Sequence, residues 1–248
     1  MKKLILLTIT LLAFTSVFSQ TLKGKITYRA AIVDSHVNYD HITPAPIKSL
    51  DMKWGENAIP IDFHLFFTGK ESLYKAENDF ETARDLGQVM NQTRFVGHAG
   101  STYYVNMETK EKYYENFSTQ GILVNIDDIH WELTKETKKI GKYTCYKATA
   151  TIDSEQSVGM GFIKPVIAWY TPDIPVPFGI QRFVGLPGLT LELIVDYEDA
   201  IIQYIVAKIE LDPKEEIVIE KSKGKKHMSE QEYHEHLKKL KAGISKRY

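Results

Sequence analysis

The chain has 248 residues, with 31 lysines and arginines against 32 aspartates and glutamates, a formal net charge of −1. That balance offers no global attraction to a polyanion, so nucleic acid is excluded as an expected partner. Cys145 is the only cysteine, so core burial and strand pairing must hold the fold without an internal disulfide.

Met1 is followed by Lys2, Lys3 and an apolar run from Leu4 to Phe18, broken only by Thr8, Thr10, Thr15 and Ser16. This is the layout of a cleavable secretory signal. The run falls short of the roughly 20 residues that a spanning helix needs. Val17 and Ser19 suit the positions three and one before the cut, making Gln20 the expected first mature residue. The expected product is periplasmic or secreted and has no transmembrane segment. Residues 1–19 read as leader, 20–220 as one mainly-β domain, and 221–248 as a basic linker and C-terminal helix. Losing two leader lysines leaves 29 basic against 32 acidic residues.

Strands are expected wherever character alternates and β-branched or aromatic residues concentrate. The first is Leu22 to Val33. Ile61 to Glu77 reads as a hairpin turning at Thr68-Gly69-Lys70, where glycine supplies the freedom of a tight turn. Ser101 to Asn106, Lys112 to Phe117 and Ile122 to Ile126 continue a meander. Glu132 to Ile140 and Tyr143 to Ile152 hinge at Gly141, and Val166 to Tyr170 follows. Leu189 to Tyr197, Ala200 to Leu211 and Glu216 to Glu220 complete the series. Short connections favour antiparallel neighbours. The predicted fold is therefore a curved antiparallel sheet, a half-barrel or barrel meander with loop insertions.

Two stretches break the meander, Asp34 to Pro60 and Asn78 to Gly100, and both read as loops or lids. In the tail, Ser229 and Glu232 make a capping box for a helix from Glu230 to Leu240. Tyr233, Leu237 and Leu240 form a narrow apolar stripe on it.

Motifs for chemistry are sparse. His234 and His236 are two residues apart, whereas a zinc-binding helix places its histidines four apart. His36, His41, His64, His98 and His130 show no spacing that specifies a metal. Asp127-Asp128 and Glu215-Glu216 are adjacent, so an extended chain points each pair to opposite faces. No nucleophile elbow or phosphate loop is present. No catalytic residue, metal ligand or cofactor is assigned.

The most unusual passage is Ala168 to Leu193, which threads Pro172, Pro175, Pro177 and Pro187 through aromatics and glycines. Proline fixes φ and glycine permits tight reversals, so one shape is held at low entropic cost. Either it is structural, locking strand register, or it rims a partner or ligand site. In the second case Tyr170, Phe178, Ile180, Phe183, Leu186 and Pro187 are the candidate contacts, and an exposed aromatic patch is expected.

Gly185-Leu186-Pro187-Gly188-Leu189 resembles the name-giving motif of the GLPGLI family of exported Bacteroidota proteins, with Thr190 in place of the final isoleucine. Trp131 to Ala150, Ala168 to Gly179 and Phe66 to Tyr74 are similar to other recurrent blocks of that family. The resemblance implies export and no established activity. The expected role is non-enzymatic binding to an envelope protein, such as a TonB-dependent receptor. The alternative is a carrier of lipid or another apolar ligand, and a hydrolase or metal-dependent enzyme is the third reading.

Overall fold

The computed structural model describes residues 22–35, 58–77, 91–116, 121–152, 165–197, 200–222 and 226–245. The expected leader and most of the two expected loops lie outside them. Alternation in the sequence becomes alternation of burial. In Ile61–Phe67 (β2, with β1 being Gly24–Ser35), Ile61, Phe63, Leu65 and Phe67 are buried while Asp62, His64 and Phe66 between them are half-buried. A pleated strand sends successive side chains to opposite faces, which produces that pattern.

Glu71–Ala76 (β3), Ser101–Asn106 (β4), Glu111–Asn116 (β5) and Ile122–Asn125 (β6) carry the first meander onward. Glu132–Ile140 (β7), Tyr143–Ala150 (β8), Val166–Thr171 (β9), Leu189–Asp196 (β10) and Ala200–Leu211 (β11) form a second. The two meanders join where β11 lies antiparallel to β1. Lys226–Met228 (β12) adds to the outer side of β6 in parallel. The order is β12-β6-β5-β4-β3-β2-β1-β11-β10-β9-β8-β7, an open sheet of twelve described strands that does not close into a barrel.

The antiparallel expectation therefore holds for every described pair except β12 with β6. That exception comes from a segment expected to be a linker. Glu216 to Glu220, expected as a strand, is instead irregular chain without ladder pairing. It carries the backbone from β11 across the outer face of the sheet, and its Ile219 packs on Leu73, Tyr104, Tyr113 and Leu123 there.

Two helices are described. Gln92–Val96 (α1) is capped by the Asn91 side chain, which accepts from Thr93 N. Glu230–Ser245 (α2) opens on the expected capping box, with Ser229 N donating to Glu232 Oε2 at 2.8 Å and Glu232 N to Ser229 Oγ at 3.1 Å. Neither described helix is long and apolar enough to cross a membrane.

One core cluster takes side chains from β1 to β6, from β8 to β11 and from the proline-rich segment. Strands from both meanders share it because they wrap around residues 172–188. Phe67 of β2 meets Phe178 at a centroid distance of 5.8 Å, and Trp131, just before β7, donates its indole N–H to Val184 O at 2.9 Å. The proline-rich segment is the filling of the curved sheet.

Candidate functional site

The chain between β9 and β10 enters the concave side at Thr171 and leaves it at Leu189. Its apolar residues point inward: Phe178 and Leu186 are 1 % exposed, Ile180 and Phe183 0 %. Tyr170 is also buried, and Pro187 is exposed. Thus five of the six candidate contact residues sit beneath the surface and Pro187 alone faces solvent. The expected exposed aromatic patch is not there, because the sheet curls around this segment and buries its apolar side. Pro172, Asp173, Pro175 and Gly185 share the outer face with Pro187.

Local geometry accounts for the Gly-Leu-Pro-Gly-Leu motif. Gly185 has φ +95°, a region that L side chains rarely adopt. A Cβ at Gly188 would stand 2.2 Å from Thr171 O. Between and after these glycines, Leu186 and Leu189 supply buried apolar area. Thr190 is buried, and its carbonyl accepts from the Tyr28 hydroxyl at 2.7 Å.

The tip of the segment is polar. Phe183 N donates to Ile180 O across a tight turn, which places Gln181 (φ +54°) and Arg182 at its apex. Gln181 donates to Gly97 O at 2.9 Å and to the Tyr204 hydroxyl at 2.8 Å. Arg182 and Glu230, the first residue of α2, form an ion pair with side chains 6 % and 3 % exposed. Nη2 donates to Oε2 at 2.8 Å and stands 2.7 Å from Oε1. Arg182 Nε is buried without a hydrogen-bond partner. Burial pushes the Glu230 carboxyl above the usual carboxylate range even with Arg182 beside it. Tyr103 and Tyr114 feel both charges, and burial raises both phenols.

Glu230 lies outside the expected apolar stripe of Tyr233, Leu237 and Leu240, yet the structure turns it inward. A signal was present: Asp173 and Arg182 are the only charged residues in 172–188. A lone arginine amid proline, phenylalanine and glycine needs a counter-charge if it is buried.

Cys145 is a buried core residue in β8 and Ala148 lies with it. Burial lifts the Cys145 thiol to about 11. Trp131 and Trp169 pack half-buried against the core, and Lys138 stands 4.3 Å above the Trp169 ring and pairs with the buried Glu192. Burial lowers His98 to about 4. His36 and His41 lie outside the described residues, and among those described no three His, Cys, Asp or Glu side chains are placed to hold a metal ion.

The outer face bears an open groove of about 900 Å³ between the end of β11, the edge of Phe66 and the chain at 212–218. Phe66 and Ile217 give it apolar lining, and Lys25, Lys208, Glu210 and Glu216 are among its charged lining; Ile209, in register with Ile26, packs toward the core. Val218 is 63 % exposed beside it.

Among solved structures, two crystal forms of PNGF-II match with 14 % identity and a TM-score of 0.47. The match covers 84 % of this chain but only 31 % of theirs, so the chain spans about a third of the proteins it resembles. A putative outer membrane lipoprotein-sorting protein domain from Vibrio parahaemolyticus matches with 5 % identity and a TM-score of 0.32, over 78 % of this chain and 87 % of that one. Likeness at this level says nothing about activity. No curated protein matches the chain. Along β7 to β10, which hold the buried segment and its motif, the chain is similar to a family described as a protein of unknown function (Porph_ging), whose model matches residues 131–164 and 160–192.

Proposed function

We propose that this chain is an exported cell-envelope protein that acts by binding, as an accessory to an outer-membrane partner such as a TonB-dependent receptor. The observation that carries this reading is the outer groove along residues 212–218. Apolar side chains such as Phe66, Ile217 and Val218 set among charged ones are what the rim of a docking surface presents. The chain beside it, residues 212–218, is free of ladder pairing. The carrier reading loses support, because the concave side that would hold an apolar ligand is packed with Phe178, Ile180, Phe183 and Leu186.

A photoreactive residue at Val218, expressed in the native host, tests the proposal. The expected product is one covalent adduct with an identified outer-membrane protein, lost when Ile217→Glu charges the groove lining. An adduct unaffected by Ile217→Glu, or none while a general crosslinker labels the chain, would sink the groove reading. Fractionation and N-terminal sequencing test export, with Gln20 expected first.

A further inference from the structure

The seat of α2 has the chemistry of a binding site rather than of a sealed core. Only a narrow face of the C-terminal arm enters it: Met228, Glu230 and Tyr233 are buried and Leu237 is half-buried. Gln231, Glu232, Glu235, Lys238 and Lys239 stay exposed. The arm's sheet pairing is the three-residue parallel contact of β12 with β6. Its deepest contact is the Arg182–Glu230 pair, made from one arginine nitrogen. A carboxylate presented side-on to a guanidinium engages Nε and Nη together. Here Nε and Glu230 Oε1 are buried without hydrogen bonds, and unmade bonds of this kind favour an occupant with better geometry.

We propose that this seat, headed by Arg182 and walled by Tyr103 and Tyr114, recognises an amphipathic helix. Such a helix presents a carboxylate three residues before an aromatic and seven before a leucine. α2 fills the seat in cis with Glu230, Tyr233 and Leu237, and a partner helix of the same pattern displaces it. The occupant's chemistry follows from α2 itself. The carboxylate meets Arg182, the aromatic ring lies beside Tyr114, and the leucine closes over the core. A carboxylate in the first turn also suits the positive end of the helix dipole. The seat is separate from the outer groove, so either reading can fail without the other.

The test uses the full chain with a fluorophore on Gln231→Cys, an exposed position, since the native Cys145 thiol is buried. The probe is an N-acetylated synthetic peptide of residues 229–245. Saturable binding with increased mobility of the label is expected. The same peptide carrying Glu230→Gln should bind at least about tenfold more weakly. Arg182→Lys in the full chain should weaken the parent peptide similarly, because lysine lacks the planar fork. Circular dichroism checks that this variant is folded, and the Glu230→Gln peptide gives an answer if it is not. Equal binding of the two peptides, or an immobile label at saturating peptide, overturns the proposal. So does a labelled chain that light scattering shows as an arm-exchanged dimer, since the seat would then serve a second copy.

Discussion

Cys145 and His98 show how burial sets the chemistry of single side chains. Burial raises the Cys145 thiol to about 11, so little thiolate exists at neutral pH. A thiol reagent at pH 7.5 should leave the native chain unlabelled and modify one equivalent after denaturation; fast native labelling would show that β8 opens. His98 is lowered to about 4 by burial alone. Its folded state binds a proton less readily than the unfolded chain, so the neutral form contributes stability above about pH 6.5. That stability is lost as pH falls from about 6.5 toward 4, by at most about 3 kcal/mol. Urea midpoints across this window should fall with acid, and His98→Asn, which tolerates the φ of +52°, should flatten that part of the slope.

Among elements, the buried segment between β9 and β10 is where substitutions should cost most. Gly188→Ala drives a Cβ against the Thr171 and Pro172 backbone, which cannot swing aside as a side chain would. The expected loss is about 3 kcal/mol or more. Gly100→Ala, with open space around its Cβ, should change stability by less than about 1 kcal/mol. Phe183→Ala should cost about 3–5 kcal/mol, the range for a buried phenylalanine. Denaturant unfolding measures all three. A Phe183→Ala chain with unchanged stability would mean that this segment is not the filling of the sheet. The contrast explains what could be read of this element beforehand. Prolines and glycines announced one rigid shape, whereas the side on which Phe178 and Phe183 lie depends on how the flanking strands curve.

For the whole molecule, an open sheet has edges to protect. Among the described residues β7 pairs only with β8, and its register shifts between Leu133 and Thr137. Irregular pairing and the charges of Lys135, Lys138 and Lys139 discourage another strand from adding there. Lys135→Val combined with Lys139→Val should leave the urea midpoint nearly unchanged but promote self-association, read by light scattering against concentration. A monodisperse variant would show that the irregular register alone protects this edge.

Local signals determined most of the strands in advance. Ser101–Asn106, Glu132–Ile140 and Ala200–Leu211 were legible to the residue, because alternation and turn residues act within a few positions. The capping box at Ser229 was legible for the same reason. Three features depended on the tertiary structure: the parallel β12, the inward turn of the proline-rich segment, and the meeting of Arg182 with Glu230 across 48 positions. Parallel pairing of three residues leaves almost no pattern, and a curved sheet decides which face of a rigid loop is inside. Charges that neutralise each other in a core become neighbours only when the sheet between them has curved around its filling.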